Sequence, residues 1–184
     1  MNANAIIYQP KSGLEVRSAI YSHPPIYMYS KLVSLMRQYG AKQVLYKMAS
    51  QNRDALILVQ DPKNPRSGHW TSLSFHPDTK EAFFFSSYGG KPDVEKNQWI
   101  ARDGLLRSGQ DLNVFNDGLK QLMVEDGWLI HYNQIPYQKV GDNTATCGIW
   151  CAAFINSDMN PDEFYDYVKR HHQTPLSFYR QYFM

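Results

Sequence analysis

Cysteine is scarce in this chain. There are two in 184 residues, Cys147 and Cys151, four positions apart. Two cysteines on one helix face make no disulfide framework. No Cys and His set at ligand spacing accompanies them, so no metal and no other cofactor is expected, and a reducing compartment fits. No apolar run approaches the length needed to span a membrane. Met1-Asn2-Ala3-Asn4 lacks the charged and apolar pattern of a secretory signal. Net charge is only +2, too small to imply nucleic acid by itself. There is no repeat, low-complexity tract or Gly/Ser-rich linker. These absences leave a soluble intracellular protein of one domain, residues 1–184, expected to be monomeric and away from membranes.

What charge there is lies unevenly. Residues 1–50 carry six Lys or Arg (Lys11, Arg17, Lys31, Arg37, Lys42, Lys47) and one acid, Glu15. The remaining residues carry 13 basic and 16 acidic side chains. A basic third can meet an anionic partner such as DNA, weakly, although such a face is more often only solvated.

Apolar spacing gives the elements. Ala5 to Tyr8 reads as an edge strand. Leu32, Val33, Leu35, Met36 and Tyr39 recur at helical spacing, with Gly40 as a C-terminal cap. Asp54 to Val59 reads as a buried strand, and Asp61 to Gly68 as a loop on its Pro, Asn and Gly content. His69 to Phe75 and Glu81 to Phe85 read as a β-hairpin turning at His76 to Lys80. Residues 91–127 read as mostly helical, closed by Gly127, and Trp128 to Tyr132 as another strand. Asn160-Pro161-Asp162-Glu163 opens a helix, and Leu176 to Phe183 forms a last one. The class is α+β, a central, mostly antiparallel sheet flanked by helices.

The chemistry centres on Thr146-Cys147-Gly148-Ile149-Trp150-Cys151. A polar turn, Gly141-Asp142-Asn143, leads to a cysteine in the first turn of an apolar helix. The positive end of the helix dipole favours a thiolate there, and the thiolate is the nucleophilic form. Gly148 would let a substrate backbone approach the sulfur. A base is then required. Of six histidines, His69 is the most distinctive, following Gly68 at the mouth of a strand and preceding Trp70.

Gly68-His69-Trp70, Phe85-Ser86-Ser87-Tyr88-Gly89, Gln138 and Thr146-Cys147-Gly148 together resemble the adenovirus-type processing proteases, whose clan includes the SUMO-specific proteases. The second cysteine at plus four resembles the viral branch, including proteases of virophages and large DNA viruses. The motif-bearing core is about 54–157, with 1–50 and 158–184 as extensions of the same domain. The resemblance implies a cysteine endopeptidase with Cys147 as nucleophile, His69 as general base and Gln138 as oxyanion donor, Gln134 being a weaker candidate. It implies that Trp70 walls the substrate site. It further implies small-residue, Gly-containing cleavage sites, viral capsid or other structural precursors as substrates, and a location in virion and host cytoplasm. An isopeptidase acting on ubiquitin or SUMO conjugates would share these residues. A catalytically impaired binding module is the other alternative.

One position departs from the pattern. Where the family has Asp or Glu, about seventeen residues after the histidine, this chain has Ser86. With the hairpin turn centred near Asp78, His69 faces Ser87, and a slip of one residue brings Ser86 opposite. Either serine could accept the imidazole N–H without supplying a charge, so Ser86 is expected to orient His69 and to leave less thiolate at neutral pH. Asp78 and Asp93 are unsuitable by position.

Overall fold

The computed structural model describes residues 6–142 and 144–184. Five strands form one sheet in chain order: β1 (Ile26–Met28), β2 (Asp54–Asp61), β3 (Asn64–His76), β4 (Glu81–Ser86) and β5 (Leu129–Tyr132). β2, β3 and β4 pair antiparallel, whereas β1 on β2 and β5 on β4 pair parallel. The sheet is therefore mixed, not mostly antiparallel. The antiparallel centre follows from tight hairpins, and each parallel edge strand needs a longer crossover.

Burial alternates along the strands as the pleat requires. Leu56, Leu58, Trp70, Phe83 and Phe85 face one core. Ile57, Val59, Leu73, Phe75 and Phe84 face the other. β2 is buried on both faces, which is why it reads as an unbroken apolar run. Helices α2 (Tyr29–Tyr39), α3 (Ala41–Gln51) and α5 (Val114–Asp126) cover the second face. Between β4 and α5 lie a 3-10 turn, Glu95–Gln98, and the short α4 (Arg102–Arg107). Gly127 closes α5 in the left-handed region, as its position predicts.

The first face is covered by α6 (Cys147–Ser157), apolar all round and buried from Cys147 to Ile155. Outside it pack α1 (Gly13–Ser18), α7 (Pro161–Arg170) and α8 (Pro175–Tyr182). Asn160 caps α7 in a capping box with Glu163, with Pro161 inside the first turn. Phe154 stacks on Phe85 at 4.5 Å and meets Phe164 edge-on at 5.4 Å. Truncating it to alanine would cost about 3–5 kcal/mol.

Three local readings change. Ile6 and Ile7 form a helical turn and not an edge strand; Ala5 and Asn143 lie outside the described residues. The segment expected as a loop is strand from Asn64 onward, with a register shift at Gln60/Asp61. Its Pro and Gly content sits at that irregularity: a Cβ on Gly68 would come 2.0 Å from the Val59 carbonyl oxygen. The third is residues 43–48, whose apolar spacing fits no single period and which belong to α3. Among the described residues no helix is long and apolar enough to cross a membrane.

Candidate active site

The backbone of Trp70 joins the two halves of the site. β4 pairs with β3 only as far as Thr71↔Ser86. Beyond that end, the Trp70 N–H donates to Cys147 Sγ at 3.5 Å, and the Trp70 C=O accepts from Cys151 Sγ at 3.3 Å. Both sulfurs come from one face of α6. The second cysteine is thus a hydrogen-bonding group as well as packing.

Cys147 opens α6, as the glycine-and-turn pattern predicts, but its surroundings do not favour a resting thiolate. It is 7% exposed. Burial pushes the thiol up to about 11, outweighing the N–H groups of Trp70, Gly148 and Cys147 that favour the anion. Desolvation beats the helix terminus here, and the resting form is the thiol.

His69 is buried at the same end of β3. Its Nε2 lies 2.9 Å from Ser86 Oγ, and Tyr88 stacks flat on the ring, 3.7 Å between centroids. Among the described residues Nδ1 has no hydrogen-bond partner, and no hydrogen bond joins the ring to Cys147. Burial pushes the imidazole down to about 3, so it is neutral at rest.

The two adjacent serines have separate neighbours. Ser86 lies beside His69; Ser87 does not, and its hydroxyl donates to Gln138 Oε1 at 2.8 Å. The register differs by one from the turn-centred expectation. Continuing the Thr71↔Ser86 ladder would set Tyr88, not Ser87, opposite His69. Ser86 is also gripped by Asn133, which accepts from its backbone N–H at 3.0 Å and donates to its carbonyl. Asn133 continues the β4–β5 pairing with a side chain, a role that sequence pattern does not reveal.

Gln138 is buried, whereas Gln134 is exposed. Its side-chain carbonyl accepts from Ser87 and, at 3.2 Å, from the Thr146 hydroxyl. That leaves the Nε2 hydrogens as donors, one toward Thr144 Oγ1 at 3.5 Å. Thr146 immediately precedes Cys147, so the amide is tied to the cysteine loop.

Trp70 and Gly148 are placed otherwise than expected. Trp70 is 4% exposed, and its indole N–H donates to the Lys11 carbonyl at 3.1 Å. A Cβ on Gly148 would meet Val16 Cγ2 at 2.7 Å and Trp70 Cδ1 at 3.4 Å. The absent side chain admits α1 and the segment before it, not a substrate. Neither residue lines an open surface, because the segment from Lys11 to Val16 covers both. Sequence spacing cannot show that coverage, which arises from contacts far along the chain.

A residue absent from the motif reading stands behind Ser86. Glu95, at the start of the 3-10 turn, is 2% exposed, and its Oε2 lies 3.8 Å from His69 Nε2. Burial pushes this carboxyl up to about 8, with Ser86 pulling it down and Asp93 pushing it further up. Lys-Pro-Asp-Val-Glu-Lys reads locally as a solvated charged stretch. The nearest signal is Gly90, where a Cβ would come 2.6 Å from Glu95 Cβ.

The basic N-terminal third offers fewer free cations than its count implies. Lys11 is buried, donating to the carbonyls of Ile6 and Gln9. Lys42 pairs with Glu125 and Asp126.

The chain is similar to a protein of the Sputnik virophage described as "Uncharacterized protein V9", with 26% identity over 156 residues, covering 84% of this chain and 77% of that protein. No family model and no solved structure matches.

Proposed function

We propose that this protein is a cysteine endopeptidase that processes viral capsid or other structural precursors at small-residue sites. The observation that carries the reading is the convergence around one residue. His69, Cys147 and, through Thr146, Gln138 come from separate segments and meet around Trp70. The imidazole there keeps an unpartnered Nδ1 among the described residues.

In this reading the proton moves from Cys147 Sγ to His69 Nδ1 as a substrate carbonyl arrives. Sulfur bonds to the carbonyl carbon, and the oxygen takes the negative charge. Gln138 Nε2 and the Cys147 backbone N–H donate to that oxygen. Collapse expels the amine, which takes the proton from His69, and leaves a thioester. Water, deprotonated by His69, hydrolyses the thioester and restores the thiol. Since the resting pair is neutral, the thiol proton passes to His69 only as the sulfur attacks. The narrow exposure of Cys147 supports cleavage beside glycine or another small residue. The viral assignment rests on the motif resemblance and is supported by the similarity to the virophage protein.

The neutral resting thiol also favours a second reading, a binding module that has lost catalysis. Co-expression with candidate capsid precursors separates the two. New termini read by mass spectrometry should appear with the wild type and be absent with Cys147→Ser. No new termini in either, together with an unreactive Cys147, would favour the binding module.

A further inference from the structure

We propose that Glu95 is the acid of this site, a positioning residue that acts on His69 through the hydroxyl of Ser86. The inference rests on the reading of His69 as the base.

Ser86 Oγ has two acceptor positions and one proton to give. The Tyr88 backbone N–H donates to it at 3.2 Å, and His69 Nε2 lies at 2.9 Å. If the imidazole presents Nε2–H, both acceptor positions are taken by N–H groups and the hydroxyl proton is free for the Glu95 carboxyl beyond, which Ser86 already pulls down. That carboxyl accepts it in either charge state. Glu95 Oε2 has no hydrogen-bond partner among the described residues, and a chain from Nε2–H to Ser86 and from Ser86 O–H to Glu95 would satisfy it and fix the tautomer. It leaves the lone pair on Nδ1, the atom without a partner among the described residues and the one that must take the Cys147 proton. The position where the motif holds an acid has become a hydroxyl, and the carboxyl has moved one hydrogen bond outward.

The carboxyl is held there by a buried framework. Asp93 accepts from the Tyr29 hydroxyl and from the Asn116 N–H at 2.7 Å. Lys96 donates to the carbonyl of Leu112 at 2.7 Å and to the Tyr29 hydroxyl at 3.2 Å. Asp93 and Lys96 flank Glu95 and are 3% and 1% exposed. Burying three charged residues within four positions is costly unless each is fixed by partners. Asp93 and Lys96 have theirs, whereas Glu95 Oε2 has no partner among the described residues and lies nearest the imidazole. The other groups facing this pair are Tyr29, Tyr88, Asp93, Cys147 and Cys151, with Asp142 beyond Tyr88.

No group transfer to Glu95 is required. A carboxylate near an imidazolium favours that ion, while the same charge stands against a thiolate on Cys147, so the tautomer and the thiol are read separately. The test uses alkylation of Cys147 by iodoacetamide against pH, in a Cys151→Ser background, with nitrogen NMR of His69. Wild-type protein should show Nε2–H and an unprotonated Nδ1 at neutral pH. Glu95→Leu, which cannot accept from Ser86, should release the imidazole toward Nδ1–H, whereas Glu95→Gln, which still can, should keep Nε2–H and move the alkylation limb down as the opposing charge is lost. Ser86→Ala should release the tautomer as Glu95→Leu does, and the double variant no more than either. An Nδ1–H tautomer in the wild type would overturn the proposal without any variant. So would an Nε2–H tautomer retained in folded Glu95→Leu alongside a released one in Ser86→Ala. Neither readout needs a substrate. If His69→Ala leaves the limb in place, it is the base assignment that fails.

Discussion

Ser86 reaches His69 on the diagonal. Its own partner across the ladder is Thr71, two residues along β3, so the hydroxyl and the imidazole share a face without being opposed. Diagonal neighbours lie about 7–8 Å apart, and only a long side chain closes that gap to the 2.9 Å observed. A slip of one residue would turn the Ser86 hydroxyl to the opposite face of the sheet. The site therefore depends on the hairpin register.

Replacement of Cys147 bears on the Trp70 N–H that it accepts from. Cys147→Ser keeps an acceptor for it and should abolish cleavage with little change in melting temperature. Cys147→Ala leaves that buried N–H unpaired and should lower stability by about 1–3 kcal/mol. Denaturant unfolding of both variants checks the difference. Cleavage above a few per cent in Cys147→Ser would reject Cys147 as nucleophile.

Gln138→Ala should reduce kcat on the order of 10²-fold, with KM little changed. Ser87 orients the same amide, so Ser87→Asp, which sets a carboxylate against the Gln138 carbonyl, should lower kcat without moving the pH limb set by His69. Steady-state kinetics over pH decides. An unaltered rate in Gln138→Ala would assign the oxyanion to backbone donors alone.

Two buried groups give stability opposite slopes. His69 falls from 6.5 to about 3 on folding. The folded state then binds fewer protons, and stability is lost as pH falls below 6.5 toward 3. Glu95 rises from 4.5 to about 8. The folded state binds more protons, and stability is lost as pH climbs from 4.5 through 8. Between pH 6.5 and 8 the Glu95 slope stands without opposition from His69. Melting temperature in that window should fall for the wild type and flatten for Glu95→Gln. Parallel curves would mean that the carboxyl is already ionised near its ordinary value.

Any DNA binding should be weak and carried by few charges. Lys31, Arg37 and Lys47 are exposed. Neutralising them together should weaken binding and reduce its salt dependence, roughly one unit of slope for each phosphate that no longer meets a cation. Lys42→Gln should do less, since Glu125 and Asp126 already hold that ammonium. Binding that is insensitive to salt would leave this surface merely solvated.

Much of the framework was legible because it is local. Gly127, Asn160-Pro161 and the apolar run after Cys147 each announce a helix end within a few residues. His69 and Cys147 carried short-range signals, a strand entrance and a helix start. Glu95 did not. A carboxylate between an aspartate and a lysine looks solvated until Tyr29, from far upstream, is seen to bury its neighbours. The covering of Trp70 and Gly148 was equally hidden, because it depends on where α1 docks. Register failed by one residue because turn composition centres a hairpin only approximately. The start of β3 was masked by a bulge rich in turn-forming residues.

The sulfur bonds at Trp70 have a mechanical consequence. His69 precedes this residue by one peptide link, and Cys147 Sγ accepts from the N–H of that link, so the two side chains are gauged from one planar unit. The Trp70 carbonyl lies on the next peptide plane and is tethered by Cys151. A valine or alanine at that position would cut the tether and let the gauge tilt, whereas serine would keep it. Side-chain chemistry four residues beyond Cys147 thereby bears on how firmly its sulfur is held.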